Sequence, residues 1–328
     1  MTGVLAAQIR GGAAILALTG LPPTSAIVLI DGLLIGLSTM RLSWLSAGFA
    51  ICMLVCNATL VGSLIETGGT NVWLHAPALF DDALRQLAPS HTGFTVISVV
   101  VTVVCGADYQ QFVIAARTPT TARIGCVLAA GIVFAIGFLP ASTVIATSQA
   151  WHLDHVGDPA QIIPVVLIHT LSSYTISATR NLVIAMLVTT ALGAGCAILR
   201  AMCDATATFG PRTASRPVWS RVLPVLFGSV VASRGQSLVE MMVDLNVVYI
   251  TAVGPLLGFT LLNVHVSDRT GIAAITAGCG ITKACYLIRW TGIAAIPEAT
   301  ALLFALPLSL AVALASRLRA NASSGESN

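Results

Sequence analysis

Ionisable side chains are expensive inside an apolar segment, so each one found there points to chemistry. In this sequence Asp31 stands mid-way along an apolar run, residues 24–41. Asp108 stands in another, and its surroundings are more specific. Val99–Cys105 is apolar and largely β-branched, Gly106-Ala107-Asp108-Tyr109-Gln110-Gln111 turns polar, and Phe112–Ala116 is apolar again. A polar patch beside glycine inside an apolar helix is the pattern of a broken or cavity-lining helix. There Asp108, Tyr109, Gln110 and Gln111 would meet a polar solute. A continuous helix with Asp108 packed on a neighbour is the alternative. Glu240 and Asp244 are spaced i, i+4 and share a helix face. Lys283 and Glu298 fall in later apolar runs. For Glu240, Lys283 and Glu298 the plainer expectation is a place near the interface, or pairing between helices.

None of the motifs that assemble a catalytic set is present. Ser and His occur without G-x-S-x-G, and there is no P-loop, H-E-x-x-H or C-x-x-C. His75, His91, His152, His155 and His169 lie in two polar stretches. His152-Leu153-Asp154-His155 has metal-ligand chemistry, but solvated loop histidines are the simpler reading. The eight cysteines sit mostly inside apolar runs. Cys52 and Cys56 are a helical turn apart with no His or acid at a metal-site spacing, so they read as small buried hydrophobes. The expectation is no enzyme, no metal and no cofactor.

The elements that would position these residues follow from composition. Of 328 residues, 56% are hydrophobic and 9% charged, with a mean hydropathy of +0.91. Soluble domains carry roughly 25% charged residues to hydrate their surfaces, so lipid is the expected solvent here. A net charge of +3, scattered along the chain, speaks against nucleic acid.

A membrane-spanning helix needs about 20 apolar residues. Ten segments meet or approach this: 3–20, 24–41, 43–65, 93–116, 122–145, 182–203, 218–233, 238–262, 270–288 and 292–316. The first is weak, interrupted by Arg10, and lacks a small-residue cleavage site, so it reads as a span rather than a cleaved leader. The seventh is short. Gly20-Leu21-Pro22-Pro23, Thr118-Pro119 and Gly210-Pro211 mark joins. Two polar stretches, 66–92 and 146–181, are the places for extramembrane structure, with short amphipathic helices expected at Ala78–Leu87 and Ala160–Leu171.

With the N-terminus cytoplasmic, eleven arginines fall on the inner side, and only Arg85, Arg180, Arg234 and Arg289 on the outer. The expected fold is an all-α polytopic transmembrane bundle, one domain over 1–320, followed by an irregular polar tail, 321–328.

The run Gly106–Gly125 (GADYQQFVIAARTPTTARIG) resembles the sixth core helix and cytoplasmic exit of the sodium:solute symporter family. Similarity continues through Gly137–Ser142, Asp158–Pro164, Ala185–Leu199 and Ser267–Gly278. The resemblance implies the five-plus-five inverted-repeat transporter fold, with solute and sodium bound near the bilayer midplane. On that plan 93–116 to 238–262 form the second repeat. The first three spans are helices three to five of the first repeat, and the first two core helices are missing. Gly193 and Ala194 fall where the family coordinates sodium through a Ser-Thr pair. Neither side chain offers an oxygen, and a hard cation needs several. Gln111 replaces a usual Arg, and Ser43 and Ser46 stand near Trp44 where an acidic residue is usual. Sodium coupling by the family's route is therefore not expected, and a proton on Asp108 takes its place.

The resulting expectation is a secondary-transporter-like protein of the plasma (inner) membrane, multi-pass, moving a small polar solute by ion-coupled alternating access. The alternative is a non-transporting remnant or membrane subunit that acts through a partner membrane protein or a second copy.

Overall fold

The computed structural model describes residues 2–86, 93, 96, 100, 116–151, 153, 156–172, 178–207, 218–233, 238–264, 266–291, 293 and 298–325. Among them the chain is helical, with no strand. Four stretches are long and apolar enough to cross a membrane: Ala47–Glu66, Pro119–Ser148, Arg180–Asp204 and Asp268–Ile288. Six further apolar helices are shorter. Of the ten expected spans, then, four reach full crossing length, and 93–116 falls almost wholly outside the described residues. The contacts divide the chain into two compact units. The first comprises Met1–Ala83 and Ala116–Met241, the second Leu84–Ala115 and Met242–Asn328.

The first unit is built around α1 (Thr2–Ala17), which packs on α2 (Pro23–Leu37), α9 (Ala178–Ala207) and α10 (Trp219–Ala232). The segment that reads weakest by hydropathy is the central helix. Its Gly and Ala residues lower hydropathy but let neighbours approach closely, which is what holds helices together where lipid removes the hydrophobic drive. Leu5, Ala6 and Ile9 are wholly buried. A Cβ on Gly12 would stand 2.9 Å from Ile30 Cδ1. The turn into α2 is the one the sequence marks: Gly20 takes φ +89° and Pro23 begins the next helix.

Around this centre lie α3 (Leu42–Glu66), α4 (Thr70–Leu74), α5 (Ala76–Gln86), α6 (Pro119–Gly137), α7 (Leu139–Trp151) and α8 (Ile162–Ser172). Thr118 caps α6, its hydroxyl accepting from the Thr121 amide at 3.1 Å, with Pro119 in the first turn. The expected span 122–145 lies within the stretch Pro119–Ser148, which is interrupted at one residue. It breaks at Phe138, because Pro140 has no N–H to continue the ladder. Phe138 stacks edge-on with Phe80 of α5, ring centroids 5.9 Å apart.

Residues 158–172, expected as extramembrane structure, are built into the bundle. Asp158 accepts from Arg10 Nη2 at 3.3 Å and from the Ala160 amide at 3.0 Å, opening a 3-10 turn, Pro159–Gln161. Gln161 donates to the Ala14 carbonyl. In α8 Pro164, Val166, Leu167 and Thr170 are buried, and the helix packs on α9, α3 and α7. It is apolar all round rather than amphipathic, which is the signature of a core helix.

Two arginines fix the register of the first hairpin. Arg180 Nη2 donates to the Leu18 carbonyl (2.5 Å), just past the end of α1. Arg200 Nε donates to the carbonyl of Ser38, the C-cap of α2, at 2.9 Å. Each guanidinium satisfies a helix-end carbonyl that has no partner of its own. Twenty residues of α9 separate them, about 30 Å along its axis, which is the thickness of a bilayer's hydrocarbon core.

The second unit contains α11 (Leu238–Leu261) from Met242 onward, α12 (Asp268–Trp290) and α13 (Glu298–Gly325). Asn263, at φ +54°, ends α11, and the Val264 amide reaches back to the Phe259 carbonyl at 2.8 Å. Ser267 caps α12 through the Thr270 amide. Where α11 and α12 meet, Thr251 and Thr282 share a buried hydroxyl bond of 2.7 Å. Ser309 of α13 donates to the Ala274 carbonyl. The last helix runs to Gly325, five residues into the segment expected as an irregular tail.

Candidate functional site

Asp31 sits in α2 seven residues before Ser38, hence about 10 Å inward of the Arg200 level. Within the α2–α10 contact its Oδ2 lies 2.6 Å from Ser229 Oγ. Its Oδ1 is buried with no hydrogen-bond partner. Ser229 Oγ also lies 2.8 Å from the Val225 carbonyl of its own helix. Gly228, beside Ser229, faces α1: a Cβ there would stand 3.0 Å from Ile9 Cδ1. Pro224 bends the same helix and leaves the Ser220 carbonyl without its i+4 amide. The Cys203 thiol fills that place, donating to Ser220 at 3.1 Å.

The residues singled out by sequence fall in different parts of the structure. Asp108, Tyr109, Gln110 and Gln111 lie outside the described residues. Glu240 and Asp244 lie on α11 and Glu298 opens α13, described in backbone only. Lys283 is exposed on α12. His91, His152, His155 and His265 lie outside the described residues, whereas His75 bonds the Asn71 carbonyl and His169 stacks on Trp151. Among the described residues no cluster of three His, Cys, Asp or Glu could hold a metal, and the cysteines are free thiols.

Gly193 and Ala194 lie on α9, and Gly193 is packed against α3. A Cβ at Gly193 would stand 2.8 Å from Phe49 Cβ of α3. Two residues on, a Cβ at Gly195 would stand 2.7 Å from Leu34 Cδ2 of α2. These glycines let α9 lie close to two helices at once. The nearby hydroxyls of Thr189 and Thr190 are spent on the carbonyls of Ala185 and Leu187 in their own helix. We expect Gly193→Ser, which supplies a hydroxyl, to cost about 1–3 kcal/mol by overpacking Phe49. Thermal unfolding in detergent should show the loss equally in sodium and potassium buffers, and Phe49→Ala should recover most of it. A sodium-specific rise in the variant would contradict this packing role.

Sequence alone could not pair Asp31 with Ser229, which lie 198 residues apart. Ser229 sits in an apolar helix as one hydroxyl among many. Compared with known proteins, the chain matches no family model and no curated sequence.

Proposed function

We propose that this chain is a multi-pass membrane protein of secondary-transporter type, moving a small polar solute by ion-coupled alternating access. The observation that carries the reading is Asp31: a half-buried carboxyl group in an apolar helix, bonded to a hydroxyl of another helix and, among the described residues, to no cation. Such a group is costly in lipid and marks ion or solute pathways in membrane proteins. The five-plus-five plan, an inner-membrane location and a cytoplasmic N-terminus complete the reading, supported by the arginine distribution and the sequence resemblance. Asp108, Tyr109, Gln110 and Gln111 are the solute contacts in this proposal.

The test is uptake by purified protein in liposomes, using labelled sugars, amino acids, carboxylates and osmolytes. An inward proton gradient should raise accumulation of at least one solute several-fold over empty liposomes. Replacing sodium by potassium should change nothing, and Asp108→Asn should abolish the accumulation. No accumulation of any solute, or an unchanged Asp108→Asn variant, defeats the proposal.

A further inference from the structure

We infer that Asp31, Ser229 and the Val225 carbonyl form a proton-binding site, with the proton held on the Asp31 carboxyl. The count of hydrogens leads there. A serine hydroxyl brings one hydrogen and two lone pairs. Ser229 Oγ makes two contacts of hydrogen-bond length, 2.6 Å to Asp31 Oδ2 and 2.8 Å to the Val225 carbonyl. The carbonyl has no hydrogen to give, and the hydroxyl cannot donate to both partners. Both contacts become hydrogen bonds when Asp31 donates to Ser229 and Ser229 donates to Val225. An ionised Asp31 would take the hydroxyl's one hydrogen, leave the Val225 contact empty, and still hold a buried Oδ1 with no donor.

Among the described residues no cation bonds to Asp31 in place of the proton. Three elements pack on α2: α1, α9 and α10. On α1 the charged group is Arg10, paired with Asp158. On α9 Arg180 and Arg200 are spent on the carbonyls of Leu18 and Ser38, and Asp204 has a partner elsewhere. The α9 thiols of Cys196 and Cys203 donate to Leu34 and Ser220. On α10 the charged group is Arg221, two turns from Ser229. None bonds to Asp31. Sodium fits no better, since a hard cation needs several oxygens and the described partner of Asp31 is one hydroxyl. The site deepens the transport reading by naming a residue that holds its proton, and it rests on that reading only for its purpose.

Infrared spectroscopy of the purified full-length chain in lipid nanodiscs reads the proton directly and requires no transport. Near neutral pH the wild type should show the C=O stretch of a protonated carboxyl, and Asp31→Asn should remove it. Ser229→Ala should move that band to higher frequency, because the carboxyl loses its acceptor. A spectrum unchanged by Asp31→Asn overturns the site. If Asp31→Asn does not fold, an unshifted band in Ser229→Ala overturns it equally. A failed uptake assay with these shifts present defeats transport and leaves the site standing. The converse pattern defeats the site alone.

Discussion

Gly278→Ala should cost about 3 kcal/mol, the largest loss we expect from adding a single methyl group to this protein. A Cβ at Gly278 would land on the Thr251 carbonyl oxygen, 2.6 Å from its carbon and 2.9 Å from Ala252 Cα. All three are backbone atoms of α11, so no rotamer change relieves the clash, and the helices must part. Overpacking of this kind costs about 1–3 kcal/mol. Parting also strains the Thr251–Thr282 bond, worth about 1 kcal/mol. Gly280, two residues along α12, is the internal control, because nothing lies within 4 Å of its Cβ position. Gly280→Ala should leave stability unchanged or raise it by about 0.5 kcal/mol through helix propensity. Thermal unfolding of the two variants in one detergent checks the pair. Equal midpoints would show that the α11–α12 approach is not tight.

Ile9→Ala should cost about 2–4 kcal/mol, for the opposite reason. Ile9 is wholly buried in the central helix, and its Cδ1 meets Gly228 of α10. Truncation leaves a cavity that rigid helices close only in part, and buried aliphatic-to-Ala changes in cores cost this much. Between helices in lipid the lost term is packing, since burial from water contributes little. Gly228→Val in the Ile9→Ala background should regain part of the loss by filling the space from the other side. Alone it should destabilise, because it meets the intact Ile9. A double-mutant cycle on unfolding midpoints measures this coupling. Purely additive effects would mean that the two residues do not share a surface.

What could be read from sequence is local. Thr118-Pro119 announces a helix start and Gly20-Leu21-Pro22-Pro23 a turn because caps and backbone preferences act over four residues. The expected helix at Ala78–Leu87 forms, at Ala76–Gln86. Membrane character follows from composition, and the structure has four helices long and apolar enough to cross a membrane. What could not be read depends on neighbours distant in the chain. Hydropathy ranks α1 low, since a helix walled in by others can be made of Gly and Ala. It also cannot say that α8 faces protein on most sides. The sequence reading makes Gly193 a lost ligand, whereas in the structure a Phe49 ring occupies the space. Asp31 stands out in sequence as a charge in an apolar run but lacks the polar context of Asp108, because its partner hydroxyl belongs to a helix much later in the sequence.

The clamping of the first hairpin by α9 also sets a timetable for assembly. The acceptors Leu18 and Ser38 each precede their arginine donors by 162 residues. At a synthesis rate of about 5–20 residues per second, these carbonyls wait roughly 8–32 s for their partners to be made. Ser229 arrives later still for Asp31. During that interval α1 and α2 are a hairpin without its walls, with α1 short of full crossing length and α2 carrying an unbonded carboxyl. On the multi-pass reading proposed above, such a hairpin needs shelter until α9 emerges, and a ribosome stalled before residue 180 would leave the nascent chain open to membrane quality control.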